Sequence, residues 1–390
     1  MTGTETMTSR ERLLTALDHR EPDRVPIDLG GNQTGIHRDA YRALTQHLGL
    51  NSRVEIMDAV QQLAQPSEEV LQRLHVDTRY IAAGAAADWK GGIVEAERDG
   101  QKWHDLTDEF GIRWSMPDGG LYMDITLHPL ADASIDDVKA YPFPKGSGVG
   151  RFNGLRERAL RLKKDTPYAV VSGISGVVYE ICWYLRGLEQ WFMDLMTEPE
   201  FCEALIDRTC GFWMDWFREF LDEVGDVVDV IMIGDDLAGQ QGPLFRPELY
   251  RQIVKPRQKK LVQYIRSRTK AKIWYHTCGS CRAYIPELLD NGIDILNPVQ
   301  ISAADMDPAG LKRDFGERLT FWGGGVDSQK VLPSASPAEI REHVQRHLEV
   351  WKPGGGYVFN NVHNIQAGVP PENIVALYDA AHEFGGYVSR

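Results

Sequence analysis

Lys270-Ala-Lys-Ile-Trp-Tyr-His-Thr-Cys-Gly-Ser-Cys281 carries a short apolar run, Ile273 to Tyr275, that ends on a His-x-Cys step followed by a glycine. Such a run reads as a buried strand. Alternate residues of a strand point the same way, so His276 and Cys278 can converge on one point at its end. An imidazole and a thiol placed together are what a soft metal site needs. A buried cysteine beside a core histidine is the bland alternative.

Working outward from this stretch, apolar strands alternate with helical patterns from residue 168 onward. Strands are expected at 168–172, 227–233, 272–275, 293–297, 319–322 and 356–360, with helices at 189–196, 199–224, 246–267, 281–291 and 337–351 between them. Toward the N-terminus, Val25-Pro-Ile-Asp-Leu29 and residues 78–82 bring the total to about eight strands. Alternating β and α units with apolar strands imply a parallel sheet, and eight of them imply closure into a (β/α)8 TIM barrel. A doubly wound open sheet is the rival, but no G-x-G-x-x-G follows the first strand. Residues 8–17 open the chain with a helix for which Ser9 is a plausible N-cap, and helical patterns recur at 39–48 and 67–74. The texture changes over 91–127, where short segments of high strand propensity are punctuated by Asp, Gly and Pro. That pattern predicts an inserted antiparallel β-meander. Its aromatics Trp103, Trp114 and Tyr122 either pack the meander or line a pocket. With no repeat and no low-complexity linker, residues 1–390 read as one barrel domain.

The composition is that of an ordinary soluble protein, 43% hydrophobic and 25% charged. A formal charge of −13 with no basic stripe argues against nucleic acid as a partner. Residues 255–272 are the most basic stretch and read as a solvated helical face. Five cysteines without a regular spacing speak against a disulfide framework and for reduced thiols in the cytosol. No apolar run reaches the length of a membrane span and residues 1–12 carry no signal core, so a cytoplasmic location is the expectation.

In a barrel the chemistry gathers at the C-terminal strand ends. Those ends carry Asp28, Ser172 to Glu180, Asp235-Asp236, His276-Thr-Cys278, Asn297 to Gln300, Gly323 to Asp327 and Asn360 to His363. His363, after the last strand, is the best distant third ligand for His276 and Cys278. It is equally suited to act as a general acid or hydrogen-bond donor. One of Asp235 and Asp236 is expected to face the pocket as acceptor or base while the other anchors the loop. Glu180 stands at a helix start as a base, a fourth ligand or an N-terminal carboxylate. Cys281 completes a C-x-x-C with Cys278, but a zinc ribbon needs a second cysteine pair, and by spacing Cys281 points away. Gly323-Gly-Gly325 lacks the Walker spacing and is weak support for a phosphate site.

Taken together, several segments resemble the uroporphyrinogen decarboxylase superfamily. They are Arg10-Glu-Arg-Leu-Leu with Asp23-Arg-Val-Pro26, Gly234-Asp-Asp-Leu237, His276-Thr-Cys-Gly279, Gly292-Ile-Asp-Ile-Leu-Asn-Pro-Val-Gln300, Gly324-Gly-Val-Asp327, and His363 with Val369-Pro-Pro-Glu-Asn373. The resemblance covers essentially the whole chain and implies a barrel with its site in the mouth, commonly dimeric. It also implies a choice of chemistry. The true decarboxylases use no metal and grip tetrapyrrole carboxylates with an arginine-rich loop, whereas Gly30-Gly-Asn-Gln-Thr-Gly35 here has no arginine. The zinc-dependent, corrinoid-type methyltransferases use a His-x-Cys step and a later cysteine, whose place falls at or beside His363.

The expectation is therefore a methyltransferase or demethylase of a small methylated substrate, with O-methyl compounds in view. Its Zn²⁺ would be held by His276, Cys278 and His363, with Asp235, Glu180 and His363 handling protons. The methyl partner would be a corrinoid on a separate protein, tetrahydrofolate or a thiol. A metal-free decarboxylase or lyase of a small acid is the alternative.

Overall fold

The computed structural model describes residues 5–387. The polar N-terminal stretch read above therefore lies partly outside the described residues. The architecture is set by a seven-stranded, all-parallel sheet. Its strands, with those of the insertion, are β1 (Thr78–Tyr80), β2 (Ile93–Arg98), β3 (Gln101–Thr107), β4 (Arg113–Pro117), β5 (Asp124–Leu127), β6 (Ala169–Gly173), β7 (Val230–Gly234), β8 (Lys272–His276), β9 (Ile295–Asn297), β10 (Thr320–Trp322) and β11 (Tyr357–Val358). The parallel order is β11-β10-β9-β8-β7-β6-β1, and β2 to β5 form a separate antiparallel meander. Both the α/β barrel and the inserted meander agree with the sequence reading.

The eighth expected strand, 25–29, closes the circle by single bonds rather than a ladder. Phe359 N–H donates to Pro26 O (2.8 Å) and Asp28 N–H to Phe359 O (2.9 Å). On the other flank Asp77 N–H donates to Ile27 O (2.8 Å). Pro26 has no N–H to give, which limits the pairing to one bridge at Ile27.

Side-chain alternation divides the apolar residues into two sets. Val171, Val230, Met232, Trp274, Ile295, Trp322 and Val358 fill the barrel, with Trp274 and Trp322 stacked at 4.6 Å. Their neighbours in sequence, such as Ile231, Ile233, Tyr275 and Phe321, pack outward under the helices. The base is plugged by the helix Ser9–Leu17, whose Leu13 and Leu17 join the inner set. Thr8, not Ser9, caps this helix. Glu11 N–H donates to Thr8 Oγ1 and Thr8 N–H to the Glu11 carboxylate, a reciprocal pair that Ser9 is one residue too late to make.

The expected helix 246–267 is also revised. It runs as Pro247–Leu249, a wide turn at Tyr250–Val254, and then Lys255–Arg268. Pro256 cannot donate to the preceding turn, and the wider turn absorbs the missing bond. The helices Pro199–Val224 and Pro337–Trp351 match the sequence pattern. No described helix is long and apolar enough to cross a membrane.

Beneath the barrel, Asp77 is fully buried and held by two guanidiniums. Arg12 Nη1 donates to Oδ1 (2.7 Å), Arg24 Nη1 to Oδ2 (2.7 Å), and Ile27 N–H also donates to Oδ2 (2.8 Å). Arg12 further bonds Asp23 and Glu5, so the plugging helix, the first strand and β1 share one ion network. Replacing one partner leaves buried charge uncompensated. Arg12→Leu is expected to cost about 3–5 kcal/mol, read from the shift in urea midpoint.

Burial opposes ionisation of Glu5 and Asp23. For Glu5 the bonds and charges of Arg24, His382 and Arg12 outweigh it, and for Asp23 the Arg12 bond and the N–H groups of Met7 and Thr6 do so. Both carboxyls are held down to about 2. Carboxyls depressed on folding stabilise the protein above their unfolded pKa of about 4 and stop doing so once protonated. Unfolding free energy should therefore fall as pH drops from about 5 toward 2, and this slope should flatten when Asp23 is replaced by Asn.

Candidate active site

The end of β8 builds the site by simple alternation. Trp274 and His276 face into the barrel and Tyr275 faces out. Asn297, at the end of the neighbouring β9, fixes the His276 ring. Its Nδ2 donates to Trp322 O (2.9 Å), which leaves Oδ1 to accept from His276 Nδ1–H (2.6 Å). The bare lone pair of His276 is therefore on Nε2, which lies 3.4 Å from Cys278 Sγ. Burial pushes His276 down to about 4, so the ring is neutral near pH 7.

Cys278 is turned back toward His276 by a tight bend. Its N–H donates to Asp236 Oδ1 (2.7 Å), and the next N–H, of Gly279, donates to Gln300 Oε1 (2.8 Å). Gly279 sits at φ +79°, and a Cβ there would lie 2.5 Å from both Ala238 O and Gly239 O. Only glycine fits. Cys281 is buried in the outer apolar set and takes no part in the cluster.

His363 arrives from the far side of the barrel, after β11, with φ +60°. Its ring meets that of His276 edge to face at 5.1 Å. The ligand atoms of His276, Cys278 and His363 all lie within 4.8 Å of one another. Donors around a tetrahedral zinc stand about 3.4–3.6 Å apart, so the His276–Cys278 edge already has that span and His363 has to close in. His363 Nδ1 accepts the N–H of Asn364 (2.8 Å), which places the ring proton on Nε2. Burial and the neighbouring His276 press its pKa down to about 3, against the pull of Asp236.

The two carboxylates that follow β7 have opposite tasks. Met232, Gly234 and Asp236 share the inner parity, whereas Ile233 and Asp235 share the outer one. Asp235 Oδ1 accepts three successive N–H groups, from Val178 (3.0 Å), Tyr179 (2.8 Å) and Glu180 (2.9 Å). Its Oδ2 accepts from Gln258 Nε2 (2.9 Å) and Tyr275 OH (3.4 Å). Burial outweighs these donors and pushes the Asp235 carboxyl up to about 6. Its place in the sequence reading as a proton-handling group is corrected here: both its oxygens are spent on the outer face, Oδ1 on the start of the helix Glu180–Arg186 and Oδ2 on Gln258 and Tyr275.

Asp236 is the carboxylate on the cluster's side, bonded to Cys278 N–H. Its own N–H donates to Glu180 Oε2 (3.2 Å), and Glu180 Oε1 accepts from Tyr184 OH. Burial pushes the Glu180 carboxyl well up and the charge of Asp236 adds to this. Burial raises Asp236 as well, against the bond from Cys278 N–H. The Cys278 thiol is driven well above its ordinary value by burial and then by Asp236 and Glu180. No lysine or arginine among the described residues bonds to any of these three groups. The donor set therefore suits a divalent cation twice over, in the soft and borderline atoms it offers and in the uncompensated negative field around them.

The sequence reading named His276, Cys278 and His363, which the structure brings together, and Glu180, which it places against Asp236; between the paired acids it chose Asp235, whereas Asp236 is the one on the cluster's side. It missed Asn297 as the residue that sets the His276 tautomer. A cavity of about 500 Å³ is lined by Phe110 and Trp114 of the meander, by Ser172 to Gly176 at the end of β6 and by Met232 of β7. Of the meander aromatics, Trp114 lines it, whereas Trp103 carries Arg98 over its ring and Tyr122 packs edge-on to His37.

The comparisons with known proteins agree with this architecture. Over 383 residues the chain is 24% identical to the uroporphyrinogen decarboxylase of Anaeromyxobacter dehalogenans, spanning 96% of this chain and 99% of that protein. The enzyme of the same name from Thioalkalivibrio sulfidiphilus is 26% identical over 387 residues, spanning 96% and 98%. Among solved structures, a methyltransferase from Methanosarcina mazei superposes with a TM-score of 0.64 at 20% identity, covering 97% of this chain and 99% of that one, a likeness of fold. The family model for uroporphyrinogen decarboxylase (URO-D) matches residues 106–384, well over half of the sequence, and the chain belongs to that enzyme family.

Proposed function

We propose that this member of the family is a zinc-dependent methyltransferase that removes a methyl group from a small methylated substrate, with O-methyl compounds as one candidate class. The observation that carries this reading is the convergence of His276, Cys278 and His363 within 4.8 Å on the inner face of the barrel mouth. These three residues would hold the ion. When bound there, zinc supplies Lewis acidity, which polarises an ether oxygen or lowers the pKa of an acceptor thiol.

The chain's own residues do the rest. Asn297 holds His276 with Nε2 free, the outer-shell arrangement that orients a ligating imidazole. His363 can offer Nε2 to a metal by moving its proton to Nδ1, which gives up the bond from Asn364 N–H. Asp236 fixes the Cys278 backbone, and burial raises both its carboxyl and that of Glu180, with the charge of Asp236 adding to the rise in Glu180. A carboxyl of this pair, when protonated, is the nearby group that can give a proton to the oxygen left when methyl departs. The methyl acceptor is a corrinoid on a partner protein, tetrahydrofolate or a thiol.

A second reading, a metal-free carboxy-lyase, draws support from the relatives' names and from the Nε2–H donor of His363. Two features weigh against it for a polycarboxylate substrate. The loop 30–35 has no arginine, and Arg151, the one arginine on the cavity wall, is already bidentate to Glu109.

Metal analysis of the purified native protein separates the two. About one zinc per chain is expected, lost in Cys278→Ser. Asn297→Ala should weaken zinc affinity by roughly 10–100-fold while the fold is kept. Full activity in a chelated, zinc-free protein would exclude the methyltransferase reading.

The Asp235-Asp236 division is tested by a pair of variants. Asp235→Ala strands three buried helix N–H groups and should cost about 3 kcal/mol or more in stability. Asp236→Asn should leave the unfolding midpoint nearly unchanged and lower kcat.

A further inference from the structure

The ladder that positions β8 stops at His276, which pairs with Gly234 of β7 on one side and Asn297 of β9 on the other. Cys278 lies two residues beyond it and is followed by a glycine at φ +79°, so the ladder does not fix where its sulfur points. Something else has to, because a ligand works only when held within about 0.5 Å of its productive position.

The four N–H groups past the ladder are all taken. Thr277 N–H donates to Asn297 O (2.9 Å), Cys278 N–H to Asp236 Oδ1 (2.7 Å), Gly279 N–H to Gln300 Oε1 (2.8 Å) and Ser280 N–H to Gly239 O (2.8 Å). These acceptors alternate between the segment after β9 and the segment after β7, as the partners of a central parallel strand do. Two of them are side chains standing where a ladder would place carbonyls. Asp236 is one. Gln300 is the other, and the methyl-transfer reading gives it no task.

Gln300 is 6% exposed, and both ends of its carboxamide are used. With Oε1 on Gly279 N–H, its Nε2 donates to Gln240 Oε1 (2.9 Å). The main-chain oxygen of Gln240 accepts Ala304 N–H (2.9 Å), and that of Gln300 accepts Ala303 N–H (2.9 Å). The side chain therefore bridges the Cys278 turn to the short hairpin of Ala238–Gly239 and Gly242–Pro243. Its own segment is anchored as well, since Pro298 O accepts Gly324 N–H (3.0 Å). Asn297, which holds the His276 ring, opens that same segment. One stretch, Asn297-Pro-Val-Gln300, thus braces the imidazole with its first residue and the turn that carries the thiol with its last.

We propose that Gln300 is a positioning residue for the sulfur ligand: by accepting Gly279 N–H it holds the turn that sets Cys278 Sγ 3.4 Å from His276 Nε2. This rests on the metal reading of His276, Cys278 and His363 and adds a residue that reading leaves out. Removing the acceptor strands a buried N–H. The peptide between Cys278 and Gly279 then turns toward another partner and takes the thiolate with it, an adjustment that glycine permits. His276 keeps its place, because Asn297 is untouched. The consequence is a weaker sulfur contact beside an unchanged imidazole.

The test loads the full chain with cobalt(II), whose thiolate-to-metal charge-transfer band reports sulfur ligation, and measures zinc affinity by competition with a chromophoric chelator. Gln300→Met fills the same space without the acceptor. It should lower zinc affinity by roughly 10–100-fold and cut the band per bound cobalt by about half or more. Gln300→Glu keeps an oxygen on Gly279 N–H and should retain the band. Gln240→Leu, at the exposed end of the bridge, should shift both readings the same way by a smaller factor. Circular dichroism checks that each variant is folded. A full band and unchanged affinity in Gln300→Met, or an equal loss of the band in Gln300→Glu, overturns the role of Gln300 alone. Where Gln300→Met does not fold, unchanged readings in Gln240→Leu overturn it. Failure of the unsubstituted chain to take up zinc or cobalt overturns the metal reading itself.

Discussion

The geometry of the barrel mouth hangs on one carboxylate, Asp235. Its Oδ1 gathers the first three N–H groups of the segment Val178 to Glu180, and its Oδ2 takes Gln258 and Tyr275. Those contacts reach from the end of β7 to a helix start, to the outward face of β8 and to the helix beneath it. With Asp235 pinned outward, Asp236 has to turn inward, since neighbours on an extended chain point oppositely. Glu180 is likewise set at the head of its helix, where it can meet Asp236. One buried acid, itself removed from the chemistry, thus orients the two that are near it.

The mouth and the base of the barrel use charge in contrasting ways. At the base, Asp77 sits between Arg12 and Arg24 and its charge is balanced. At the mouth, Asp236, Glu180 and Cys278 crowd together with no lysine or arginine among the described residues bonded to them. Burying like charge without compensation costs free energy, and a fold tolerates it where something else supplies the countercharge or where a retained proton is useful. The neutral His276 and His363 beside these acids, both pushed down by burial, add lone pairs rather than positive charge. That combination is a reason to expect a cation there.

The aromatic chamber shows how an insertion changes what a common barrel can take. The meander contributes Phe110 and Trp114, and the long helix Pro199–Val224 contributes Phe212 and Trp213. Neither element belongs to the strands that carry the ligand set. The aromatic cavity wall and the candidate ligand set are thus built on separate parts of the chain. At Gly234 the lack of a side chain lets His276 and Ser175 pack closely against β7.

Much was legible in the sequence because it is written in local pattern. The alternation of apolar strands with helices gave the barrel, the Asp-, Gly- and Pro-punctuated short segments gave the meander, and the His-x-Cys step named a ligand pair two residues apart. Thr8 rather than Ser9 as helix cap was readable too, from the glutamate three residues on. Other features depend on residues far apart in the chain and had no local signal. Asp235 and Asp236 are chemically identical, and both faces of a barrel strand are apolar, so hydropathy could not say which acid turns inward. The His276 tautomer is set by Asn297, twenty-one residues on. The placement of His363 against His276 exists only because the barrel closes through Ile27 and Phe359. Sequence alone determined which donors were available and which strand ends they sat on. The tertiary structure decided which of them share a point in space, because strand parity and barrel closure are properties of the closed sheet and not of any single segment.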